Sequence, residues 1–356
     1  MRRLKFEEDM NIVEGLAKLS DAFGVAGFED EVRDVIKEMV EPYVDGYEID
    51  PLGNLICWRG SGDPVMLDAH MDEVGFMVRW IEKDGFLRLT ALGSWDERIL
   101  LGHRVVIRTR RGEKRLGVIG TTPPHILSES ERQKVVPLEE LFVDIGAKTR
   151  EEALSLGVHI GDPATIHYPF AQIRDGYVTG KAFDDRAGCL VAIEALRLTA
   201  EERLPYKLVV NFAVCEEGGL RGARAAAYRV APKLALALEG TIGADIPGVP
   251  EAKQPVRLGQ GPAITLADRS ITVNPRLVRF LEKVAEEEGI PYQYKLPAYG
   301  STDAGPIHLE RGGTLAGVVS VPCRYIHSPV STLLLSDLEA TIKLVVGFLR
   351  RAPELL

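Results

Sequence analysis

Residues 207–219 read KLVVNFAVCEEGG, a mostly apolar, β-type run that ends on two adjacent glutamates and a glycine pair. A run that is apolar without alternation suits a strand covered on both faces. Residues 65–67, 234–238 and 315–319 form similar short runs. Helix-like stretches separate them. Residues 187–198 are almost wholly apolar, and Asn274 caps a helix with Pro275 in its first turn and Leu277, Phe280, Leu281 and Val284 along one face. Nearer the start, Val32, Val35, Ile36, Met39 and Val40 recur at helical spacing up to Pro42, and a hairpin follows that turns at Gly53 and Asn54. The last helix is expected to open on a capping box of Ser336 and Glu339. Strand-like and helix-like segments in alternation predict an α/β fold with a mostly parallel or mixed central sheet.

Across residues 74–164 the texture changes to alternating strands, with hairpin turns at Asp84-Gly85 and Arg111-Gly112 and one short helix opened by Thr149 and Glu152. The expected organisation is therefore a discontinuous main domain, residues 1–73 and 165–356, carrying an inserted β-rich domain at 74–164. Within the insert, residues 121–136 are polar with a proline pair and read as a long exposed loop.

Composition narrows the function classes. The net charge of −9 argues against a nucleic-acid partner, since the only local basic run is residues 108–111. No apolar run reaches the roughly 18 residues of a membrane span, and the opening MRRLKFEEDM has no apolar stretch behind its basic residues, so a soluble, cytoplasmic protein is expected. Cys57, Cys189, Cys215 and Cys323 are scattered, without a CxxC pair, and read as small core residues. Asn and Gln together number nine while charged residues make up 27%, the bias of proteins from hot environments.

Metal-type ligands stand where these strands end, the position at which open α/β sheets place their active sites. In VMLDAHMDE, His70 follows a strand and Asp72 stands two residues on, so both can point the same way; His70 would ligate and Asp72 would hold its ring. KAFDDRAG places Asp184 and Asp185 ahead of a buried helix, which they could simply cap, but a carboxylate is also the group able to bridge two metals. Glu216 and Glu217 follow the strand quoted first. Side chains adjacent on an extended backbone diverge, so one can bind metal while the other reaches a water. RYIHSP supplies His327, and LALALEG supplies Glu239, read as another strand end. The set is sufficient for two divalent metals about 3.5 to 4 Å apart that share one carboxylate.

In this order, DAHMDEVGFMV, VDIGAKTREEALSLGVHIGDP, KAFDDRAGC, CEEGGLRGA, YGSTDAGPIHL and RYIHSP resemble the glutamyl/leucyl-type dinuclear metallo-aminopeptidases that assemble into tetrahedral dodecamers, and the likeness extends over nearly the whole chain. It implies a zinc-exopeptidase-like α/β sandwich with an inserted PDZ-like β domain that makes dimer contacts. It also implies two divalent ions, Zn²⁺ or Co²⁺, with His70 and Glu239 on one, Glu217 and His327 on the other, Asp184 between them and Glu216 as general base. Asp185 then takes a supporting or capping place. The family usually has Asp where this chain has Glu239. The expected substrates are peptides with free N-termini, and the expected assembly is a dodecamer built from dimers. His125, on the 121–136 loop, corresponds to a segment near the family's subunit contacts. An endoglucanase-type glycoside hydrolase, a name some family members carry, is disfavoured because two histidines at strand ends have no part in that chemistry. An inactive shell subunit would have lost a ligand or the base, and all are present.

Overall fold

The computed structural model describes residues 12–356, so the first eleven residues of the expected 1–73 segment, with the opening MRRLKFEEDM, lie outside the described residues. Along the chain the strands are β1 (Gly46–Ile49), β2 (Leu55–Arg59), β3 (Pro64–His70), β4 (Gly75–Ile81), β5 (Leu87–Leu92), β6 (Arg104–Arg108), β7 (Lys114–Gly120), β8 (Phe142–Asp144), β9 (Pro163–Ile166), β10 (Ala171–Arg174), β11 (Tyr177–Gly180), β12 (Lys207–Ala213), β13 (Leu234–Ile242), β14 (Ala263–Thr265), β15 (Gln293–Lys295), β16 (Leu315–Arg324) and β17 (Ser331–Leu334).

The central sheet is mixed, in the order β1-β2-β12-β3-β13-β16-β17-β11-β10, with β14 on β16 and β15 on β14. Its middle strands β12, β3, β13 and β16 are parallel, and each corresponds to one of the apolar runs read from sequence. The hairpin β1–β2 turns where Gly53 and Asn54 placed it. The helix Phe183–Leu198 is buried over nearly its whole length and packs on β3, β13 and β16 and on the helices Ile12–Asp21 and Leu335–Arg351. That enclosure explains its lack of a polar face. Asn274 caps the helix Pro275–Glu288 by accepting the Arg276 N–H.

Strands β4 to β9 close a separate six-stranded barrel in the order β4-β5-β8-β7-β6-β9. Alternate residues point inward, Phe76 and Val78, Leu87 and Leu89, Val105 and Ile107, and they form a hydrophobic cluster apart from that of the main sheet. Thr149 caps the helix Arg150–Ser155 from its hydroxyl, while the Glu152 carboxylate returns to the Lys148 N–H.

Three expectations are corrected. The capping box at Ser336 does not form, because β17 keeps its ladder through Leu334 and the Leu335 N–H donates to Gly176 O, so the strand turns directly into the helix Leu335–Arg351 and Ser336 falls inside the first turn. Residues 121–136 are largely exposed but not structureless: they hold the short helix Glu129–Arg132, opened by a capping box of Ser128 and Glu131. Glu239 does not end its strand, since β16 runs alongside to Cys323 and keeps β13 extended to Ile242.

The chain leaves the main sheet at Glu73 and returns after Thr165, and one carboxylate ties both points together. Glu73 Oε2 accepts from the Thr165 hydroxyl at 2.9 Å, and Oε1 accepts from Lys181 Nζ at 2.7 Å and the Gly24 N–H at 3.2 Å. Arg186, fully buried, stands 3.5 Å from the same oxygen and donates to the carbonyls of Met71, Ala22 and Gly24. Removing one member of a buried ion set strands the others in an apolar medium. Glu73→Ala should therefore cost about 3–5 kcal/mol, read as a lower urea midpoint; an unchanged midpoint would show that the clamp contributes nothing.

Candidate active site

His70 is the last residue of β3, beside Ala213 at the end of β12. Its N–H donates to Asp185 Oδ2 at 3.2 Å, and its ring Nδ1 lies 3.1 Å from the Asp72 carbonyl and 3.5 Å from Asp72 Oδ1. A proton on Nδ1 in that contact leaves the Nε2 lone pair free. Nε2 faces Asp184 Oδ1 at 3.5 Å, Glu239 Oε2 at 3.6 Å and Glu216 Oε2 at 3.8 Å. The other oxygen of Asp184, Oδ2, lies 3.3 Å from His327 Nε2, which is itself 3.0 Å from Glu217 Oε1. One carboxylate thus stands between two imidazoles, each with its own further carboxylates. The donor atoms of His70, Glu216 and Glu239 lie within 4.8 Å of one another, as do those of Asp184, Glu217 and His327.

Local structure explains the convergence. The glutamate pair does not diverge from an extended strand as expected: β12 ends at Ala213, Cys215 takes a left-handed φ of 54°, and Glu216 begins a turn. Asp72 sets that turn, its two oxygens accepting the N–H groups of Glu216 at 2.9 Å and Glu217 at 3.0 Å. It therefore supports the ring on one side and aims both glutamates on the other. Sequence reasoning found the first contact from the two-residue spacing; nothing local signals the second, across 144 positions. Asp185 is fully buried and accepts from Gly188 N–H as well as His70 N–H, so it caps the helix and fixes β3 at once. Gly240 lets the chain pass Asp184, whose Cα would lie 2.8 Å from an added Cβ.

The electrostatics are dominated by buried negative charge. Burial pushes Glu216 well above the carboxylate range, raises Glu217 and lifts Glu239 to about 8, with neighbouring carboxylates adding to it. For Asp184 burial acts in the same direction, but hydrogen bonding to His327 and His70 outweighs it and holds the group below its ordinary value. Burial lowers the imidazoles, yet the carboxyl groups around them win, raising His70 well above its ordinary value and His327 to about 11. Two imidazoliums stand among these four carboxyl groups, and a divalent cation in each group would replace them. A donor set of His nitrogen and carboxylate oxygen is one that such ions accept. The site opens onto a cavity of about 800 Å³ whose lining includes Ser94 from the barrel and Lys295, Tyr299 and Thr302 from the main sheet side.

All seven residues singled out in the sequence, His70, Asp72, Asp184, Glu216, Glu217, Glu239 and His327, are brought together here. His125 is exposed on the 121–136 loop and is not among the cavity-lining residues. The four cysteines are free thiols, three buried and Cys215 partly so. Lys295 escaped the sequence reading, since a single lysine carries no pattern.

The sequence profile of the M42 glutamyl aminopeptidase family matches residues 53–344. The chain is 41% identical to a TET aminopeptidase of the marine sediment archaeon Thaumarchaeota archaeon SCGC AB-539-E09, with a TM-score of 0.93 and 96% of each chain covered. It is 34% identical to the lysyl aminopeptidase of Pyrococcus furiosus, over 94% of this chain and 95% of that one. It is also 34% identical to the Pyrococcus horikoshii TET1 peptidase, with a TM-score of 0.86 and coverage of 95% and 99%; that protein can assemble into a tetrahedron or a large octahedral shell. The glycoside hydrolase alternative falls away with these matches. They extend over nearly the whole chain and make it a member of the M42 glutamyl aminopeptidase family, peptidases that work with divalent metal.

Proposed function

We propose that this protein removes N-terminal residues from peptides with free N-termini, using two divalent ions, Zn²⁺ or Co²⁺. The observation that carries the reading is the division of Asp184, one oxygen toward His70 and the other toward His327. His70 and Glu239 would hold one ion, Glu217 and His327 the other, and Asp184 would serve both. Ions bound there supply acidification of a water and polarisation of the scissile carbonyl. Glu216 takes the proton of that water and delivers it to the departing amine nitrogen, restoring its carboxylate. Asp72 positions Glu216 and Glu217 through their N–H groups and keeps the His70 ring oriented. The substrate's α-ammonium is received among the acidic side chains of the cluster, so N-terminally blocked peptides are poor substrates.

The same reading makes the whole a zinc-exopeptidase-like sandwich, residues 1–73 and 165–356, with residues 74–164 as a PDZ-like inserted domain that forms dimers and, from them, a dodecamer. Its support is the separate hydrophobic core of the barrel and the outward-facing Trp80, Leu116 and Val118 on its strands. The free thiols fit a cytoplasmic setting, and among the described residues no helix is long and apolar enough to cross a membrane.

Two outcomes test this function. Glu216→Gln should keep both metals in elemental analysis while the rate on an aminoacyl-coumarin amide falls by roughly 10²- to 10⁴-fold. Glu217→Gln should instead lose metal, with partial recovery of rate in excess zinc or cobalt; if the variants behave the other way round, the two roles are reversed, and if both stay loaded and active the site is wrong. Light scattering should give a mass several times the 39.1 kDa subunit, and a monomeric active enzyme would refute the assembly.

A further inference from the structure

Strand β12 ends at Ala213, and the chain then leaves the sheet through Val214, Cys215, Glu216 and Glu217. The N–H groups of these four consecutive residues are each accepted by a side chain. Val214 N–H donates to Asn54 Oδ1 at 2.9 Å, Cys215 N–H to Glu29 Oε1 at 3.0 Å, and those of Glu216 and Glu217 to the two oxygens of Asp72. Backbone donors beyond a strand end need partners, and here three side chains from distant segments supply them. Asp72 already has a place in the site. Glu29 and Asn54 do not.

Local structure explains neither of them. Glu29 stands at the start of the helix Asp30–Val40 but makes no side-chain cap for it. The residue is 4% exposed, and its Oε1 accepts the Gly27 N–H at 2.7 Å as well as the Cys215 N–H, with the Cys215 thiol 3.6 Å away. Asn54, in the turn between β1 and β2, is fully buried, although a hairpin turn needs no buried amide. Its Nδ2 donates to Asp50 Oδ2 at 2.7 Å and to Gly222 O at 3.0 Å while its Oδ1 takes the Val214 N–H. Gly222 N–H in turn donates to Val214 O at 3.0 Å, so Asn54 grips the glutamate turn at both ends. A Cβ on Gly222 would collide with that same Oδ1. Between these anchors Cys215 keeps its left-handed φ of 54°, which a residue other than glycine holds only where its surroundings impose it.

Resting on the aminopeptidase reading, we infer that Glu29 and Asn54 are positioning residues for Glu216 and act on it through the backbone of Cys215 and Val214. The two glutamates differ in what else holds them. Glu217 Oε1 lies 3.0 Å from His327 Nε2, whereas Glu216 Oε2 meets His70 Nε2 only at 3.8 Å, beyond hydrogen-bond reach. The Glu216 carboxylate therefore stands where its backbone places it. Slack in the turn displaces the group that carries the proton and leaves Glu217 beside its ring, so the loss falls on rate and spares the metal.

The test compares Glu29→Met, which removes the acceptor, with Glu29→Gln, which keeps an oxygen for the Cys215 N–H. On an aminoacyl-coumarin amide, zinc- or cobalt-loaded Glu29→Met should lose kcat by roughly 10- to 10²-fold, with KM and metal content close to the parent's. Glu29→Gln should recover most of that kcat. Asn54→Ala should show the same split between kcat and KM, and it carries the test if the urea transition shows that Glu29→Met does not fold. An unchanged kcat in Glu29→Met overturns the inference and leaves the aminopeptidase reading standing. Loss of metal along with rate also overturns it, since the turn would then serve the ligand and not the proton carrier. Glu29→Gln as slow as Glu29→Met overturns it as well, because the charge of Glu29 and not its acceptor oxygen would matter. A parent enzyme that cleaves no aminoacyl amide sinks the aminopeptidase reading and this inference with it.

Discussion

Four carboxyl groups and two imidazoles share one partly buried corner, and their mutual electrostatics constrain everything around them. Glu216, Glu217 and Glu239 are each pushed toward the protonated form by burial, while Asp184 is held ionised by the two rings that flank it. Such a cluster is stable only if its geometry is enforced from outside and its charge is met from within. A divalent metal of the kind the family implies would meet the charge. The fold enforces the geometry.

That enforcement is built from parallel strands and a few supporting groups. Strands β12, β3, β13 and β16 run the same way, so His70, the glutamate turn and His327 all emerge at or beyond the same edge, with Glu239 on the extended part of β13 beside them. Asp72 aims the glutamates, Asp185 ties the helix Phe183–Leu198 to β3, and Gly240 leaves room for Asp184. Asp72 and Asp185 are buried and each holds at least two partners, which is why a small displacement of one element would be felt across the site.

The barrel is joined to this frame next to the chemistry. Glu73, adjacent to Asp72, holds both the departure and the return of the inserted strands and is flanked by the buried cations Lys181 and Arg186. Arg186 in turn follows Asp185 and donates to Met71 O, between His70 and Asp72. Ser94 of the barrel reaches the cavity wall. The placement of the barrel and the position of the loops that carry the clustered residues are thus fixed by one continuous buried network.

The sequence by itself determined the elements and the inventory of reactive groups. Apolar runs of strand length, the buried stretch at 187–198 and the capping Asn274 were legible because local periodicity and capping depend on near neighbours. The seven clustered residues were legible as candidates because acidic and imidazole groups recur where apolar runs stop. What lay beyond local reading was set by contacts between distant segments. The Ser336 cap fails because β11 and β16 hold β17 extended to Leu334, and Glu239 lies within a strand because β16 prolongs it. Asp72 turned from a support of one ring into the anchor of the glutamate turn, and Lys295 became part of a cavity wall, only when strands far apart in the chain were brought side by side. Tertiary packing decides these points because hydrogen bonds and charge interactions act through space, and sequence spacing carries no information about them once the chain folds back on itself.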